Sequence, residues 1–243
     1  MTPINILIPM AGLGSRFRNA GYTQPKPFID IKGKTMIERV LENLSIPDAN
    51  YILIARAEDL DNQQELVQNI EERYNAKFIG IHQLTEGTAC TILHARKYIN
   101  NETPLLIANS DQIVDFEISS FIEDTALRNL DGSILTFVDP EKNPKWSFAK
   151  TDPDGYVVEV REKEPISDIA TVGIYLFSRG DIFVDAAIDM IIHNDRVNNE
   201  FYTCPTYNYV IRNGGKTGIY NILEKDMHGL GTPEDLEKYL PLI

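Results

Sequence analysis

Short apolar strands alternate with amphipathic helices through the first half of the 243-residue chain, and this alternation constrains the fold more than any other feature. The segments 5–9, 51–55 and 77–82 have the length and the apolar content of buried strands. One intervening stretch places its apolar residues on a single helical face, at Met36, Ile37, Val40, Leu41 and Leu44. Such alternation predicts an α/β fold whose mostly parallel sheet is sandwiched by helices.

Closely spaced strands replace this alternation in the second half. Turns rich in proline, aspartate and glycine separate the strand candidates, which are 132–138, 147–152, 156–163 and 170–177. Helices are predicted around 181–192, 200–212 and 233–240. Because the sequence contains no internal repeat and no long linker, we expect a single domain over residues 1–243, whose two halves meet near residue 115.

The charge balance limits the possible partners. The sequence carries 23 Lys and Arg against 36 Asp and Glu, a formal net charge of −13, which argues against a general binder of nucleic acid or anionic membranes. A small phosphorylated ligand stays open, because local basic residues decide that case. The two cysteines have no metal-like spacing, and no apolar run approaches the ~20 residues of a membrane span. The first residues include no basic leader. We therefore expect a reduced, cytoplasmic protein without a signal peptide.

A glycine loop follows the first strand, in the segment AGLGSR at residues 11–16. Its two glycines allow the backbone to approach a ligand, and ligands of open α/β sheets bind at the carboxyl ends of strands. The loop lacks the Lys-Ser/Thr of a Walker A motif, and Phe17 occupies the position where a dinucleotide fingerprint has a small residue. Together with Arg16 and with Lys26, which lies between two prolines, the loop is suited to a triphosphate.

This region resembles a known family. The stretch AGLGSRF…PKPFIDIKGKTMIERVLENL is similar to the sugar-nucleotide pyrophosphorylases, which are nucleotidyltransferases of the type-A glycosyltransferase-like fold. The resemblance implies a Rossmann-like mixed sheet and an enzyme that transfers a nucleoside monophosphate from an NTP to a phosphorylated small metabolite, with release of pyrophosphate. It also implies that the triphosphate is held by Ala11, Gly12, Gly14, Ser15, Arg16 and Lys26.

Three further segments match the family in order. The glutamine before EGTACTILHA resembles its reader of a pyrimidine base, from CTP, UTP or dTTP. ANSDQ resembles its strand end with a Mg²⁺ ligand, and VVEVREKEP resembles the segment that meets the acceptor. These matches imply an NTP-binding half at about 1–115 and a smaller, β-rich acceptor-binding portion in about 116–243. They assign the base to Gln83, Gly87 and Thr88, the metal to Asp111, and the acceptor to Glu162 and Lys163.

Two departures from the family pattern leave the acceptor and the second metal ligand open. Trp146 and Ser147 stand where hexose-1-phosphate enzymes usually have Tyr-Gly, so the acceptor is either a sugar phosphate or a non-sugar, such as a phosphocholine-like or phospho-amide metabolite. Gly229 replaces the aspartate of the family's Asp-x-Gly-Thr motif; Asp226 is the expected substitute, and His228 a weaker one. Similarity to short capsule-locus members favours a cytidylyl donor and a role in making capsule or surface polysaccharide precursors.

Two other functions are compatible with this fold. A glycosyltransferase that consumes a nucleotide sugar typically carries Asp-x-Asp, whereas Asp111 is followed by Gln112 and Ile113. A non-catalytic nucleotide sensor would lose phosphate-binding residues that this sequence keeps. Residues 198–202 could line the acceptor pocket, but a predicted helix start explains them, so they receive no role. An oligomer is possible, and the sequence does not decide its size.

Overall fold

The computed structural model describes residues 3–243, in which strands and helices alternate through the first half. The strands are β1 (Asn5–Pro9), β2 (Asp30–Ile31), β3 (Lys34–Thr35), β4 (Asn50–Arg56), β5 (Ala76–Ile81), β6 (Leu105–Ala108), β7 (Gln112–Val114), β8 (Gly132–Val138), β9 (Ser147–Thr151), β10 (Val157–Glu162), β11 (Ile169–Phe177), β12 (Thr217–Asn221) and β13 (Met227–Gly229). The α-helices are α1 (Ser15–Asn19), α2 (Met36–Asn43), α3 (Ala57–Asn62), α4 (Gln64–Tyr74), α5 (Thr88–Leu93), α6 (Arg96–Ile99), α7 (Ile118–Leu127), α8 (Gly180–Ile192), α9 (Thr206–Arg212) and α10 (Pro233–Tyr239).

A nine-stranded sheet forms the centre of the fold. β1 pairs in parallel with β4 and β6, and β4 pairs in parallel with β5, which gives the order β6-β1-β4-β5. β11 adds antiparallel to β6 and connects this part with β8, β9, β10 and β12. The α/β fold with a mixed, mostly parallel sheet is therefore confirmed, and both halves of the chain contribute strands to one sheet.

Helices cover both faces of the sheet, which explains the apolar runs in the sequence. Ile6 and Ile8 of β1 belong to one core cluster, together with Val40 of α2. Leu7 belongs to the cluster on the other face, together with Ile92 of α5. All five side chains are fully buried. Since alternate residues of a strand face opposite sides, a strand covered on both faces requires a continuous apolar run.

β11 connects the two halves of the chain. Its C-terminal part pairs with β6, whereas Ala170 near its start pairs with Phe148 of β9. The register of its pairing with β8 shifts between these two parts. At the shift, the backbone N–H of Asn109, just after β6, donates to the carbonyl of Gly173 at 3.0 Å. The β9–β10 hairpin and the chain that follows β6 are thereby attached to the same strand.

One predicted helix is shorter than the sequence indicates. Only Thr206–Arg212 of the expected 200–212 stretch is helical, and α9 begins directly after Pro205. The backbone of Phe201 pairs elsewhere: its N–H donates to the carbonyl of Glu86 at 2.7 Å, and its carbonyl accepts from the N–H of Ala89 at 2.9 Å. A helix through this stretch would need an N–H at position 205 for the Phe201 carbonyl, and Pro205 has none, so this part of the prediction was wrong.

The last helix was predicted correctly. α10 begins at Pro233, and Thr232 acts as its N-cap, because the backbone N–H of Asp235 donates to the Thr232 hydroxyl at 3.1 Å. Glu234 and Asp235 place negative charge in its first turn, where the helix dipole favours it. Over residues 3–243, no helix has the length and apolar content to cross a membrane.

Candidate functional site

The glycine loop lies at the carboxyl end of β1 and packs against Lys26. Ala11 is buried there, while Gly14 adopts φ 59, a left-handed conformation that favours glycine. A Cβ on Gly14 would lie 3.1 Å from the Cβ of Lys26. Both constraints explain the glycine: a larger residue would strain the turn into α1, which begins at Ser15, and would push the lysine away.

Lys26 and Asp111 meet as an ion pair although 85 positions separate them in the sequence. Their side chains are 17% and 25% exposed, respectively, so the pair is partly shielded but open to solvent on one side. The Lys26 ammonium also lies 5.8 Å from the ring centroid of Phe17, within cation–π range. The structure therefore brings together the lysine and the aspartate that the sequence assigned to phosphate and metal.

Arg16 is exposed at the start of α1. Within the part of the chain that the structure describes, its guanidinium has neither an ion pair nor a side-chain hydrogen bond. Gly12 is exposed as well, and a Cβ there would meet no atom within 4 Å. A free guanidinium beside an open loop is a suitable binding place for an anion, since arginine matches the geometry of phosphate oxygens.

The Asp111 backbone is held by the C-terminal segment. The N–H of Leu230 donates to the carbonyl of Asp111 at 2.7 Å. A Cβ on Gly231 would lie 3.3 Å from Asp111 Oδ2 and 3.9 Å from Asp235 Oδ2, so both carboxylates border the same point. Asp235, which sequence reasoning treated only as a helix-start residue, is thus near the site. Its Oδ2 accepts a hydrogen bond from the Thr232 hydroxyl at 2.7 Å.

Asp226 is not brought to Asp111. In the β7–β13 ladder, His228 pairs with Ile113, and the N–H of Asp115 donates to the carbonyl of Asp226 at 2.7 Å. Asp226 is therefore level with Asp115, whose Cα lies four residue steps along β7 from that of Asp111, or about 13 Å. Carboxylates that share one Mg²⁺ each lie about 2.1 Å from it. This register argues against a metal shared by Asp226 and Asp111, and the role of Asp226 stays a prediction to be tested by mutation. The imidazole of His228 points to Asp115 instead, with Nε2 2.7 Å from Oδ2.

The oxygen ligands near the glycine loop suit a Mg²⁺ ion that substrate phosphates help to bind, and among the described residues they do not form an all-protein metal site. Residues 3–243 contain no group of three or more His, Cys, Asp or Glu side chains arranged to hold a metal. Mg²⁺ in nucleotide enzymes is typically held by one or two carboxylates together with substrate phosphates and water. Asp111, with the cationic loop beside it, meets that requirement, because a hard cation prefers oxygen ligands.

The segment after β5 supplies a second binding element. Gln83 is exposed, and among residues 3–243 its amide makes no side-chain hydrogen bond. Gly87 precedes α5 with φ 126, and a Cβ there would overlap the backbone of Phe201. The Thr88 hydroxyl accepts hydrogen bonds from the N–H and the hydroxyl of Thr203, at 3.1 and 3.0 Å. Thr88 is thus occupied by Thr203, whereas the amide of Gln83 is free for a ligand at the carboxyl edge of the sheet.

The β9–β10 hairpin holds the two residues assigned to the acceptor. Glu162 is paired across the hairpin with Ser147, whose hydroxyl donates to its carboxylate. Lys163 follows with φ 57, a left-handed conformation that is uncommon outside glycine, and its N–H donates to the carbonyl of Trp146 at 3.1 Å. Trp146 and Ser147, the residues that depart from the family pattern, are therefore direct neighbours of this pair.

The charges of this pair are set by burial and by their neighbours. Burial raises the pKa of the Glu162 carboxyl, although the hydrogen bond from Ser147 and the charge of Lys163 act in the opposite direction. Partial burial acts to lower the pKa of Lys163, but the hydrogen bond to Tyr202 and nearby carboxylates outweigh it, so this pKa is raised. Lys163 therefore remains an ammonium at neutral pH, the form that attracts phosphate.

Sequence reasoning missed Tyr202. Lys163 Nζ donates to the Tyr202 hydroxyl at 2.8 Å and lies 4.5 Å from the centroid of its ring. The sequence assigned no role to this tyrosine because a helix start explained it. Its flank carries a signal that points to another conformation: Asn198 and Asn199, residues that tolerate the left-handed region, have φ 50 and 64.

Comparisons with known proteins agree with this geometry. A family model described as Nucleotidyl transferase matches residues 6–207. The chain is 25% identical over 179 residues to Bifunctional protein GlmU of Methanocaldococcus jannaschii, covering 72% of this chain and 40% of that protein. It is 23% identical over 175 residues to Mannose-1-phosphate guanylyltransferase catalytic subunit beta of Dictyostelium discoideum, covering 71% and 49%. The chain thus matches less than half the length of these two relatives.

A solved structure is similar over nearly the whole chain. The nucleoside-diphosphate-sugar pyrophosphorylase from Vibrio cholerae RC9 superposes with a TM-score of 0.81 at 25% identity, covering 97% of this chain and 99% of that one. The family match, over residues 6–207, includes the glycine loop, Asp111 and the β9–β10 hairpin.

Proposed function

Since the chain belongs to the nucleotidyl transferase family, we propose that it transfers a nucleoside monophosphate from a pyrimidine NTP to a phosphorylated small metabolite and releases pyrophosphate. The observation that carries this proposal is the meeting of Lys26 and Asp111 beside the glycine loop. An ammonium suited to phosphate and a carboxylate suited to Mg²⁺ lie side by side there, which supports the proposal. Lys163 provides a separate cation for a second phosphorylated substrate.

The reaction needs no covalent intermediate on the enzyme. A phosphate monoester has a second pKa of about 6 and is largely a dianion at neutral pH, so its oxygen needs no general base. That oxygen attacks the α-phosphorus of the NTP, a new P–O bond forms, and the bond to the β-phosphate breaks as pyrophosphate leaves. Two anions must approach each other, so the protein's contribution is positioning and charge neutralisation.

The proposed roles follow from the positions of the cations. Arg16 and Lys26 hold the leaving pyrophosphate, with the backbone of residues 11–15 around it, while Lys163 holds the acceptor phosphate. Asp111 would hold Mg²⁺, which when bound would supply positive charge to the phosphate oxygens. The Asp111 carboxylate pairs with Lys26 through Oδ2, so this lysine lies beside the carboxylate that would hold the metal.

The proposed acceptor carries a phosphate that binds Lys163, and the rest of the acceptor molecule is left open. Glu162, Ser147 and Trp146 border Lys163 and would contact the rest of the molecule. They offer a carboxylate, a hydroxyl and an aromatic ring, which are compatible with a sugar or with an amino alcohol. We further propose a cytoplasmic enzyme for capsule or surface polysaccharide precursors, consistent with the free thiols of Cys90 and Cys204.

A pyrophosphate-release screen tests this function. Each of ATP, GTP, CTP, UTP and dTTP is incubated with Mg²⁺ and with a panel of phosphorylated sugars, amino alcohols and amides. We expect release that requires both a pyrimidine NTP and one acceptor class. Binding of NTP without release for any acceptor supports the sensor alternative, and consumption of a nucleotide sugar supports a glycosyltransferase.

Replacement of Gln83 by alanine is expected to lower kcat/KM for the preferred pyrimidine NTP by about tenfold, the effect of losing about one good hydrogen-bonded contact. The reason is that its free amide offers both a donor and an acceptor to a base edge. The measurement compares kcat/KM for all five NTPs. Gln68→Ala, on the outer surface of α4, is the matched control. A wild-type enzyme that prefers ATP or GTP contradicts the assignment.

Replacement of Asp226 by asparagine is expected to leave kcat/KM and the Mg²⁺ concentration for half-maximal rate within about twofold of wild type, the range of an ordinary surface substitution. The physical reason is its distance along β7–β13 from Asp111. A Mg²⁺ titration of pyrophosphate release measures both quantities. A loss of activity that extra Mg²⁺ restores would show that Asp226 reaches the metal after all.

A further inference from the structure

We propose that Tyr202 is a positioning residue for the acceptor phosphate: its hydroxyl fixes the ammonium of Lys163, and its chain segment fixes that hydroxyl relative to the nucleotide. This inference rests on the proposed function and adds to it a role for Tyr202. Throughout, "the 200–203 segment" denotes residues Glu200, Phe201, Tyr202 and Thr203.

The first step concerns the lysine. Lys163 is exposed and has a long, flexible side chain, so without a partner its ammonium would occupy many positions. Tyr202 restricts it through the hydrogen bond of 2.8 Å to the hydroxyl, a geometry that also leaves Nζ 4.5 Å from the ring centroid. One hydrogen of the ammonium is thus directed to Tyr202, and the other two are available for a phosphate oxygen.

The phenol of Tyr202 must keep its proton to accept the hydrogen bond from Lys163 as a neutral group. Burial and the nearby Glu200 carboxylate raise the pKa of Tyr202, whereas Lys163 acts to lower it, and the net direction is upward. The carboxylates of Glu200 and Glu162 both raise the pKa of Lys163. At neutral pH the tyrosine is therefore a neutral acceptor of the lysine's hydrogen bond and does not cancel the positive charge that the phosphate needs.

The 200–203 segment is anchored to the segment that precedes and opens α5. Phe201 is tied by backbone hydrogen bonds of 2.7 and 2.9 Å to Glu86 and Ala89, on either side of Gly87 and Thr88. Thr203 is tied to the Thr88 hydroxyl. Tyr202 lies between these two anchored residues, so its backbone position is set by the segment assigned to the nucleotide base.

A further contact strengthens the anchor. Arg196 pairs with the Glu86 carboxylate at 2.8 Å, and its guanidinium lies 4.2 Å from the ring centroid of Phe201. The 200–203 segment is therefore held at Phe201 and at Thr203, and the Tyr202 hydroxyl between them accepts the hydrogen bond from the acceptor lysine. This arrangement explains why Gly87 lacks a side chain: a Cβ there would overlap the Phe201 backbone and displace the segment.

The test uses Tyr202→Phe, which removes the hydroxyl and keeps the ring. With the best acceptor of the pyrophosphate-release screen, and with phosphocholine and glucose 1-phosphate as the first two probes, we expect the acceptor KM to rise about tenfold, as for loss of a hydrogen bond to a charged group. The KM for the NTP and kcat should stay within twofold of wild type, a split that a general loss of structure would not produce.

The matched control is Tyr98→Phe. Tyr98 also lies beside lysine ammonium groups, 4.6 Å from Lys77 and 4.8 Å from Lys97, but on another part of the surface. This variant should leave all three kinetic constants at wild-type values. Its comparison with Tyr202→Phe separates an effect at the acceptor lysine from an effect of losing any phenol beside an amine.

A double-mutant cycle shows whether Tyr202 acts through Lys163. In a Lys163→Ala background, Tyr202→Phe should add less than a twofold change in acceptor kcat/KM, because the atom it positions is gone. Full additivity of the two effects overturns the proposal, as does an unchanged acceptor KM in Tyr202→Phe. If the wild-type protein releases no pyrophosphate with any acceptor, the proposed function fails first, an outcome distinct from failure of the role of Tyr202.

Discussion

Asp111→Asn is expected to abolish Mg²⁺-dependent turnover while the protein stays folded. Asparagine keeps the shape of the side chain and one neutral oxygen, but it removes the charge that attracts a hard cation beside a triphosphate. The fold should tolerate the change, because the carbonyl of Asp111, which accepts from Leu230, is unaffected. We expect kcat/KM to fall by at least about 100-fold, as when one charge-stabilising group is removed from an active site.

The measurement combines three readings on the same preparation: pyrophosphate release as a function of Mg²⁺, calorimetric binding of the metal–NTP complex, and thermal unfolding. Asp154→Asn, in the exposed turn between β9 and β10, is the matched control and should behave as wild type in all three. Near-normal turnover of Asp111→Asn with an unchanged Mg²⁺ dependence would rule out Asp111 as the metal ligand.

Lys163→Ala is expected to lower kcat/KM for the acceptor by about 30- to 1000-fold, which corresponds to about 2–4 kcal/mol of lost transition-state stabilisation. The loss should be confined to the acceptor, because Lys163 contacts Tyr202 and the β9–β10 hairpin and makes no hydrogen bond or ion pair to the glycine loop. The affinity for the NTP should stay within about threefold of wild type, since Arg16 and Lys26 remain to bind the triphosphate.

Initial rates over a grid of both substrate concentrations separate the two effects. Lys150→Ala, which removes an exposed lysine of the same hairpin, is the matched control and should change neither constant. If Lys163→Ala weakens the NTP and the acceptor equally, this lysine contacts the triphosphate and the assignment of the two phosphates has to be exchanged.

Much of the fold is predictable because it depends on local patterns. The apolar run of β1 has to be buried on both faces, and Ile6 and Leu7 do enter opposite cores. Thr232 before Pro233 predicts where the last helix begins. In each case the residues that decide the structure are close together in the sequence, so periodicity or a capping residue is sufficient.

Other parts depend on pairing between distant segments, which local patterns do not encode. The register between β7 and β13 decides that Asp226 is level with Asp115, whereas sequence proximity to Gly229 favoured it as a metal ligand. In the same way, Phe201 gives its backbone groups to Glu86 and Ala89, which overrides the local preference for a helix. Asn198 and Asn199 signal a departure from the helix, but the contact of Tyr202 with Lys163 depends on pairing between distant segments.

The central claim is that the acceptor's own phosphate oxygen attacks the α-phosphorus of the NTP. The most direct test supplies the active acceptor with ¹⁸O in all its non-bridging phosphate oxygens and analyses the products by mass spectrometry and ³¹P NMR. The account predicts that every labelled oxygen is retained in the nucleotide-linked product, with one of them in the new P–O–P bridge, and that the pyrophosphate is unlabelled. Label in the pyrophosphate, or a nucleotide product without label, would contradict it.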